Sequence, residues 1–231
     1  MKQHRSWMLF GAGLILAASS FFLWTACGSS SGNANVRLVN ALPTQTDLDF
    51  LVDSKSVATS IAYGTASSYV GVSSGSRHLQ GQVTGSTTIV ADTTTTVNSS
   101  TYTSLVSFLD ATNSNNLLVL TDNNAAPPSG DFNLRVINVC SGLGTQDVYV
   151  VASGTDLNSV SPTFSSLAVG GVSSYTSQAA GTWDVVFTSP SFKVPNQDSG
   201  ALVFTSGQVR TLLLLNVPSG GFETTLLTDS H

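Results

Sequence analysis

Apolar and polar residues alternate over short stretches of this chain, and turn-forming residues separate one stretch from the next. Leu48, Phe50 and Val52 fall on one side of an extended segment, with Asp47, Asp49 and Asp53 on the other. Trp183, Val185 and Phe187 likewise share a side, with Asp184 opposite. The pattern predicts strands at 36–39, 48–52, 67–72, 78–83, 87–91, 93–97, 101–108 and 117–121. A second series follows at 134–137, 148–151, 172–177, 182–188, 201–205, 209–216 and 223–227. Runs of roughly 4–8 residues at roughly 8–12-residue spacing point to β-sandwiches.

The two series echo each other. Val36-Arg37-Leu38-Val39-Asn40 returns as Leu134-Arg135-Val136-Ile137-Asn138, and Asp47–Val52 as Asp147–Val151. Ile61-Ala62-Tyr63-Gly64 through Tyr69 is answered by Leu167-Ala168-Val169-Gly170 through Tyr175, and Gly75 by Gly181. Leu117 through Asp122 is answered by Thr225 through Asp229. The offset is 98 residues between Arg37 and Arg135 and 106 between Tyr69 and Tyr175, so small insertions sit in the loops of the second copy. A period near a hundred residues is a domain, well above the roughly 20–50 of a solenoid repeat.

At these positions the chain resembles a bacterial family known as domain of unknown function 4397. Its pattern is an R-V-x-x-A-x-P opening, a D-V-Y-V strand, an A-F-G-x-x-S-x-Y segment and a closing L-x-L-T-D. The resemblance extends over both copies, nearly all of the chain after the first thirty-odd residues. Asn40 and Asn138 stand where the family usually has His, and the second copy lacks a proline matching Pro43. The family carries no assigned activity, so the resemblance implies architecture and location more than mechanism.

The opening residues predict export. Lys2 and Arg5 precede 18 uncharged residues, Trp7 to Trp24, and the run closes on Leu23-Trp24-Thr25-Ala26-Cys27-Gly28. This resembles a lipobox, which implies acylation at Cys27 with a diacylglyceryl group and palmitate. Gly28 after the cysteine implies an outer membrane destination where the cell has one. Leu23 sits one place further back than the family pattern, and an uncleaved membrane anchor is the competing reading of 18 apolar residues. Residues 28–33 then form a flexible Ser/Gly tether.

The expected fold is all-β: two tandem Ig-like or transthyretin-like antiparallel β-sandwich domains behind an N-terminal lipoprotein signal helix. Residues 1–26 are signal peptide, 27–34 tether, 35–122 the first sandwich, 123–130 a proline-bearing linker and 131–231 the second sandwich. Composition agrees: charged residues are only 9%, Glu223 is the sole Glu, and Lys is scarce. Helix surfaces favour Glu and Lys, whereas Thr, Val and Tyr favour strands.

Loss of Lys2 and Arg5 with the leader takes the net charge from −5 to −7. An acidic chain without a basic cluster does not suit nucleic acid. Cys140 would remain as a free thiol, or pair with Cys27 if that residue is not acylated in an oxidising compartment.

Few residues suggest chemistry. Gly71-Val72-Ser73-Ser74-Gly75 with nearby His78 matches the G-x-S-x-G string of serine hydrolases. That motif needs a strand-to-helix turn, and here both flanks read as strands. Asp47 and Asp49, with Asp53, form a candidate cation site, although calcium wants six or more oxygens from a wrapping loop. Asp122 and Asp229 recur at the two module ends, where Asp closes strands by bonding backbone N–H groups. Trp183, the sole Trp beyond the leader, offers either a sugar-stacking platform or core packing, and its neighbours favour the core. No metal cluster, phosphate loop or dinucleotide fingerprint is legible, so no cofactor and no enzymatic activity are expected. The expectation is a lipid-anchored, extracytoplasmic protein of periplasm or cell surface that serves as an interaction or structural unit. Its partners would be the membrane and an envelope protein. Glycan or cell-wall binding is the alternative.

Overall fold

A computed structural model describes residues 32–44, 47–123 and 125–229, where one 3₁₀ turn, Leu157–Ser159, is the only helical element. The first half contains β1 (Asn33–Ala41), β2 (Asp47–Val52), β3 (Lys55–Ala62), β4 (Val70–Ser73), β5 (Gly75–Val83), β6 (Ile89–Val97), β7 (Tyr102–Leu109) and β8 (Asn115–Asp122). The second contains β9 (Asp131–Asn138), β10 (Gln146–Ala152), β11 (Phe164–Leu167), β12 (Gly171–Val172), β13 (Thr176–Ala179), β14 (Gly181–Thr188), β15 (Pro195–Asp198), β16 (Leu202–Phe204), β17 (Val209–Asn216) and β18 (Phe222–Thr228).

Each half is a sandwich. Sheet β4-β1-β7-β8 packs on sheet β3-β2-β5-β6 through Val36, Leu38, Leu105, Leu48, Phe50 and Leu79. In the second half β12 and β13 both pair with β9, which continues through β17 to β18. That sheet packs on β11-β10-β14, whose far edge is shared by β15 and β16. Phe132, Leu134, Val148, Val185, Phe187 and Leu212 fill the core between them. The expected all-β sandwich architecture is present, with one correction to the pairing. β1 runs parallel to β7 and β9 parallel to β17, so the inner sheets are mixed and not purely antiparallel.

The apolar character of β1, β7, β9 and β17 follows from cover on both faces. Leu38 and Leu105 point into the first core, whereas Val39, Ala41, Val106 and Phe108 point outward. There they meet Ile137, Val139, Leu213 and Leu215 from the second sandwich in a third apolar cluster. Each Val, Leu, Ile or Phe fully buried in this seam contributes about 1.5–3 kcal/mol relative to exposure. The described residues accordingly form one unit, with four sheets stacked in the order outer, inner, inner, outer.

Three strands are absent from the sequence expectation. β3 and β11 each carry a serine with a left-handed backbone, Ser60 and Ser166 (both φ 53°), and the pairing with β2 and β10 shifts register there. Such bulges erase the two-residue alternation on which strand prediction depends. β15 opens on a proline and lies at a sheet edge, where proline is tolerated. Other differences are of extent. The stretches 87–91 and 93–97 merge into β6, 172–177 divides between β12 and β13, and the strand expected at 67–72 begins only at Val70. Asp53 leaves the face shared by Asp47 and Asp49. With Ser54 it makes a two-residue turn of positive φ, the geometry that suits a tight hairpin.

Candidate functional site

The seam between the sandwiches also buries four charges. Arg37 lies beside Val39 on the outward face of β1, and Arg135 beside Ile137 on that of β9; each is only 3% exposed. Nε of Arg37 donates to Ser104 Oγ on the neighbouring β7 at 2.6 Å. The rest of its guanidinium crosses to the other sandwich, donating to the Thr228 carbonyl at 2.7 Å and to Asp229 Oδ1 at 2.5 Å. Arg135 mirrors this: Nε donates to Thr211 Oγ1 on β17 at 3.0 Å, and Nη2 to Asp122 Oδ1 of the first sandwich at 2.5 Å. The two halves therefore exchange carboxylates.

The carboxylates are held as symmetrically. Asp122 Oδ2 accepts from Tyr69 Oη at 2.7 Å and Ser104 Oγ at 2.6 Å. Asp229 Oδ2 accepts from Tyr175 Oη at 2.9 Å and from Thr211 Oγ1. Each guanidinium also stacks on a tyrosine of its own sandwich, Arg37 at 4.5 Å from the Tyr69 centroid and Arg135 at 4.8 Å from that of Tyr175. Burial pushes the Tyr69 and Tyr175 hydroxyls well above the usual phenol range; the adjoining arginines oppose the shift and the aspartates reinforce it. Burial works against the Arg135 charge, but Asp122, Tyr175 and Asp229 together outweigh it and raise its pKa. Two positive and two negative groups balance inside the seam, and the geometry is that of a lock.

A repeated serine and a repeated glycine serve the same joint. Ser67 Oγ accepts the Leu38 N–H at 3.1 Å and Ser173 Oγ the Val136 N–H at 2.9 Å, fastening each Tyr-bearing loop to the strand that carries the arginine. Gly64 (φ 73°) lies against Thr225 and Leu215 of the second sandwich, and Gly170 (φ 76°) against Phe108 of the first. A side chain at either glycine would meet both a strained backbone and the opposite sandwich.

Residues singled out from sequence fall elsewhere. Ser73 ends β4 and Gly75 opens β5, so the G-x-S-x-G string runs from one strand directly into the next, with no helix after the Ser. His78 Nε2 instead bonds Asp92 across the β5–β6 pair at 2.7 Å. Asp49 Oδ1 accepts the Ser60 N–H at 2.9 Å and Thr84 Oγ1 at 2.6 Å, which pins the bulge in β3. Asp147 does the same for Ser166 at 2.7 Å and also takes the Ser191 N–H at 3.0 Å, making it the counterpart of Asp49 rather than of Asp47. Asp47, at the start of β2, accepts the Thr84 N–H through its carbonyl. Among the described residues no group of three or more His, Cys, Asp or Glu side chains is placed to hold a metal.

Asp53 accepts from the His78 N–H and from Arg77, which hold its carboxyl below the usual carboxylate range. Trp183 packs against the second core, edge-on to Phe132, and donates to the Ala179 carbonyl at 2.9 Å. Cys140 is a buried free thiol beside Asn216, and burial raises its pKa. Asn40 and Asn138 are buried and bond backbone at Ile61, and at Gly144 and Leu167. Cys27 and the rest of the signal and tether before Gly32 lie outside the described residues.

Arg37, Arg135, Tyr69, Tyr175, Ser104 and Thr211 escaped assignment as a site. Asp122 and Asp229 were expected to close strands through nearby backbone, and they bind side chains across the seam instead. The signal was available: Arg37, Tyr69 and Asp122 are among the polar positions that recur in the second half, as Arg135, Tyr175 and Asp229. Beside the lock a cavity of about 630 Å³ opens between residues 64–69 of the first sandwich and Thr225–Thr228 of the second, with Arg37 at its wall.

The sequence profile of the domain of unknown function (DUF4397) matches residues 34–149, half of the chain. The chain belongs to this family. Within the DUF4397 match lie the first sandwich, β9 and the first residues of β10, so Arg37, Tyr69, Asp122 and Arg135 are all inside it. No protein of curated function matches the chain. Two solved structures show distant likeness. One, the Bacillus anthracis TIE protein, is 10% identical with a TM-score of 0.26, over 83% of this chain and 34% of that one. The other is CBMbc (family CBM26) from Eubacterium rectale Amy13K, in complex with maltoheptaose. It is 12% identical with a TM-score of 0.26, over 86% of this chain and 98% of that one. The chain thus spans about a third of the length of the Bacillus anthracis protein. Among the described residues no helix is long and apolar enough to cross a membrane.

Proposed function

We propose that this is a non-enzymatic, lipid-anchored protein of the cell envelope whose two sandwiches, each a copy of the family fold, act together as one interaction unit. The exchanged Arg–Asp pairs carry this reading. Arg37, Asp122, Arg135 and Asp229, at positions that the two halves repeat, join one sandwich to the other, and what results is a stiff body suited to presenting its surface to a partner. Cys27, following an uncharged run of 18 residues and preceding a Ser/Gly tether, supplies the attachment. Each buried CH₂ of an acyl chain adds roughly 0.8 kcal/mol, so two or three chains hold the protein without a spanning helix.

Intact mass of the detergent-extracted protein tests the anchor. A chain beginning at Cys27 with added acyl mass supports it, whereas a retained Met1 or an unmodified start elsewhere refutes it. Cys27→Ser is expected to abolish acylation and leave the precursor uncleaved. Chemical cross-linking of the anchored protein in intact membranes tests the interaction role. Recovery of no cross-linked partner would count against it.

A further inference from the structure

β18 is an edge strand: β17 pairs with it on one side, and no described strand pairs on the other. Its register shows which backbone groups are left over. The Asp229 N–H bonds the Val209 carbonyl, and the pairing is regular from Asn216–Phe222 to Arg210–Thr228. Glu223, Thr225 and Leu227 therefore turn their backbone groups toward β17, and Thr224, Leu226 and Thr228 turn theirs outward. The outward Thr228 carbonyl accepts Arg37 Nη1 at 2.7 Å, so this edge already takes a donor from outside its sheet. Among the described residues no backbone group bonds the N–H of Thr224, Leu226 or Thr228.

The cavity of about 630 Å³ runs along this edge. Its opposite wall is Gly64, Thr65, Ala66, Ser67 and Ser68, small or hydroxylated, and ends on Tyr69 beside Arg37. That wall is firm, because Ala66 bridges Val39 and the N–H groups of Asn40 and Ser67 bond Thr65 and Leu38. Exposed edges are commonly guarded by lysine, proline or a bulge. β18, Phe-Glu-Thr-Thr-Leu-Leu-Thr, has neither lysine nor proline, and its register is unbroken.

We propose that this cleft binds an extended peptide segment of a partner protein, which joins β18 as a further strand. The proposal rests on the reading of the protein as an interaction unit and names the partner's chemistry. Donors and acceptors recurring every second residue, roughly 6.6 Å apart, are the complement of another polypeptide backbone. From Thr224 to Thr228 the edge spans roughly 13 Å, room for about five residues. The Arg37 guanidinium closes one end and sets the register. Beyond Gly64, which lies against Thr225, the small residues Thr65–Ser68 leave space for alternate side chains of the bound segment.

The test selects a phage-displayed library of random linear peptides on the full-length protein and resynthesises the enriched peptide with single N-methylated amides. Methylation at alternate positions is expected to weaken binding roughly tenfold, as one lost hydrogen bond does, and methylation at the intervening positions to have little effect. The bound peptide should slow hydrogen exchange at Leu226. Thr224→Pro removes an outward N–H at an edge, where proline is tolerated; it should weaken binding similarly and leave the thermal melt intact.

Failure to enrich any peptide over the Thr224→Pro protein, or binding indifferent to N-methylation, overturns the proposal. So does sedimentation showing the edge occupied by a second copy of the chain. Membrane cross-links mapping only to surfaces other than 64–69 and 222–228 would remove this site while leaving the interaction role standing.

Discussion

Arg37→Met offers the most direct test of the lock between the sandwiches. The substitution keeps an apolar stem of similar length in the seam and deletes three charge-assisted bonds, to Ser104, Thr228 and Asp229. Asp229, fully buried, retains Tyr175 and Thr211 as donors and has Arg135 at 3.9 Å. Breaking a buried pair on one side typically costs about 3–5 kcal/mol, because the remaining charge has lost its counter-ion. The surviving Arg135 contact places the expected loss near about 3 kcal/mol. In a urea titration with a slope of about 2 kcal/mol/M, the midpoint should fall by roughly 1.5 M. The double variant Arg37→Met/Asp229→Leu removes both charges and should be more stable than the sum of its singles, with a coupling of about 1–3 kcal/mol. A single-variant shift below roughly 0.5 M, or strict additivity in the double, would refute the claim that these pairs are buried and mutually dependent.

Further outcomes follow from the same geometry. Folded-state pKa values of Tyr63, Tyr69 and Tyr175 are raised by burial, so their contribution is fully present below pH about 10 and is lost as pH rises further. A spectrophotometric titration should show these three phenols ionising only as the protein unfolds. Gly64→Ala forces a side chain into φ 73° against Thr225 and should cost about 1–2 kcal/mol in a denaturant melt. Asp49→Ala leaves the exposed Ser60 N–H and the half-buried Thr84 hydroxyl to water and should cost about 0.5–1.5 kcal/mol. Calcium should leave the melting temperature of wild type and of Asp49→Ala alike unchanged; a calcium-dependent rise in wild type alone would restore the cation reading.

Much of the architecture is written locally. Alternation at Leu48, Phe50 and Val52, and at Trp183, Val185 and Phe187, places these side chains on the core faces where they are found. That information is local because a strand's side chains alternate whatever its neighbours are. The bulged strands were illegible for the same reason reversed: a left-handed Ser60 or Ser166 breaks the period, and only the distant Asp49 or Asp147 carboxylate makes that backbone worthwhile.

The repeat itself is visible in the sequence, and so is the identity of its polar members. What they do is not. Arg37 and Asp229 stand 192 residues apart, and nothing along the chain says that each arginine takes the carboxylate of the other half. That choice depends on two inner sheets meeting face to face, which brings Val39 and Phe108 against Ile137 and Leu213 and leaves the arginines no water to turn to. Sequence determined which residues are apolar, where strands form and which positions recur. Tertiary packing alone decided the partners, because burial makes a charge seek its counter-ion wherever the fold delivers one.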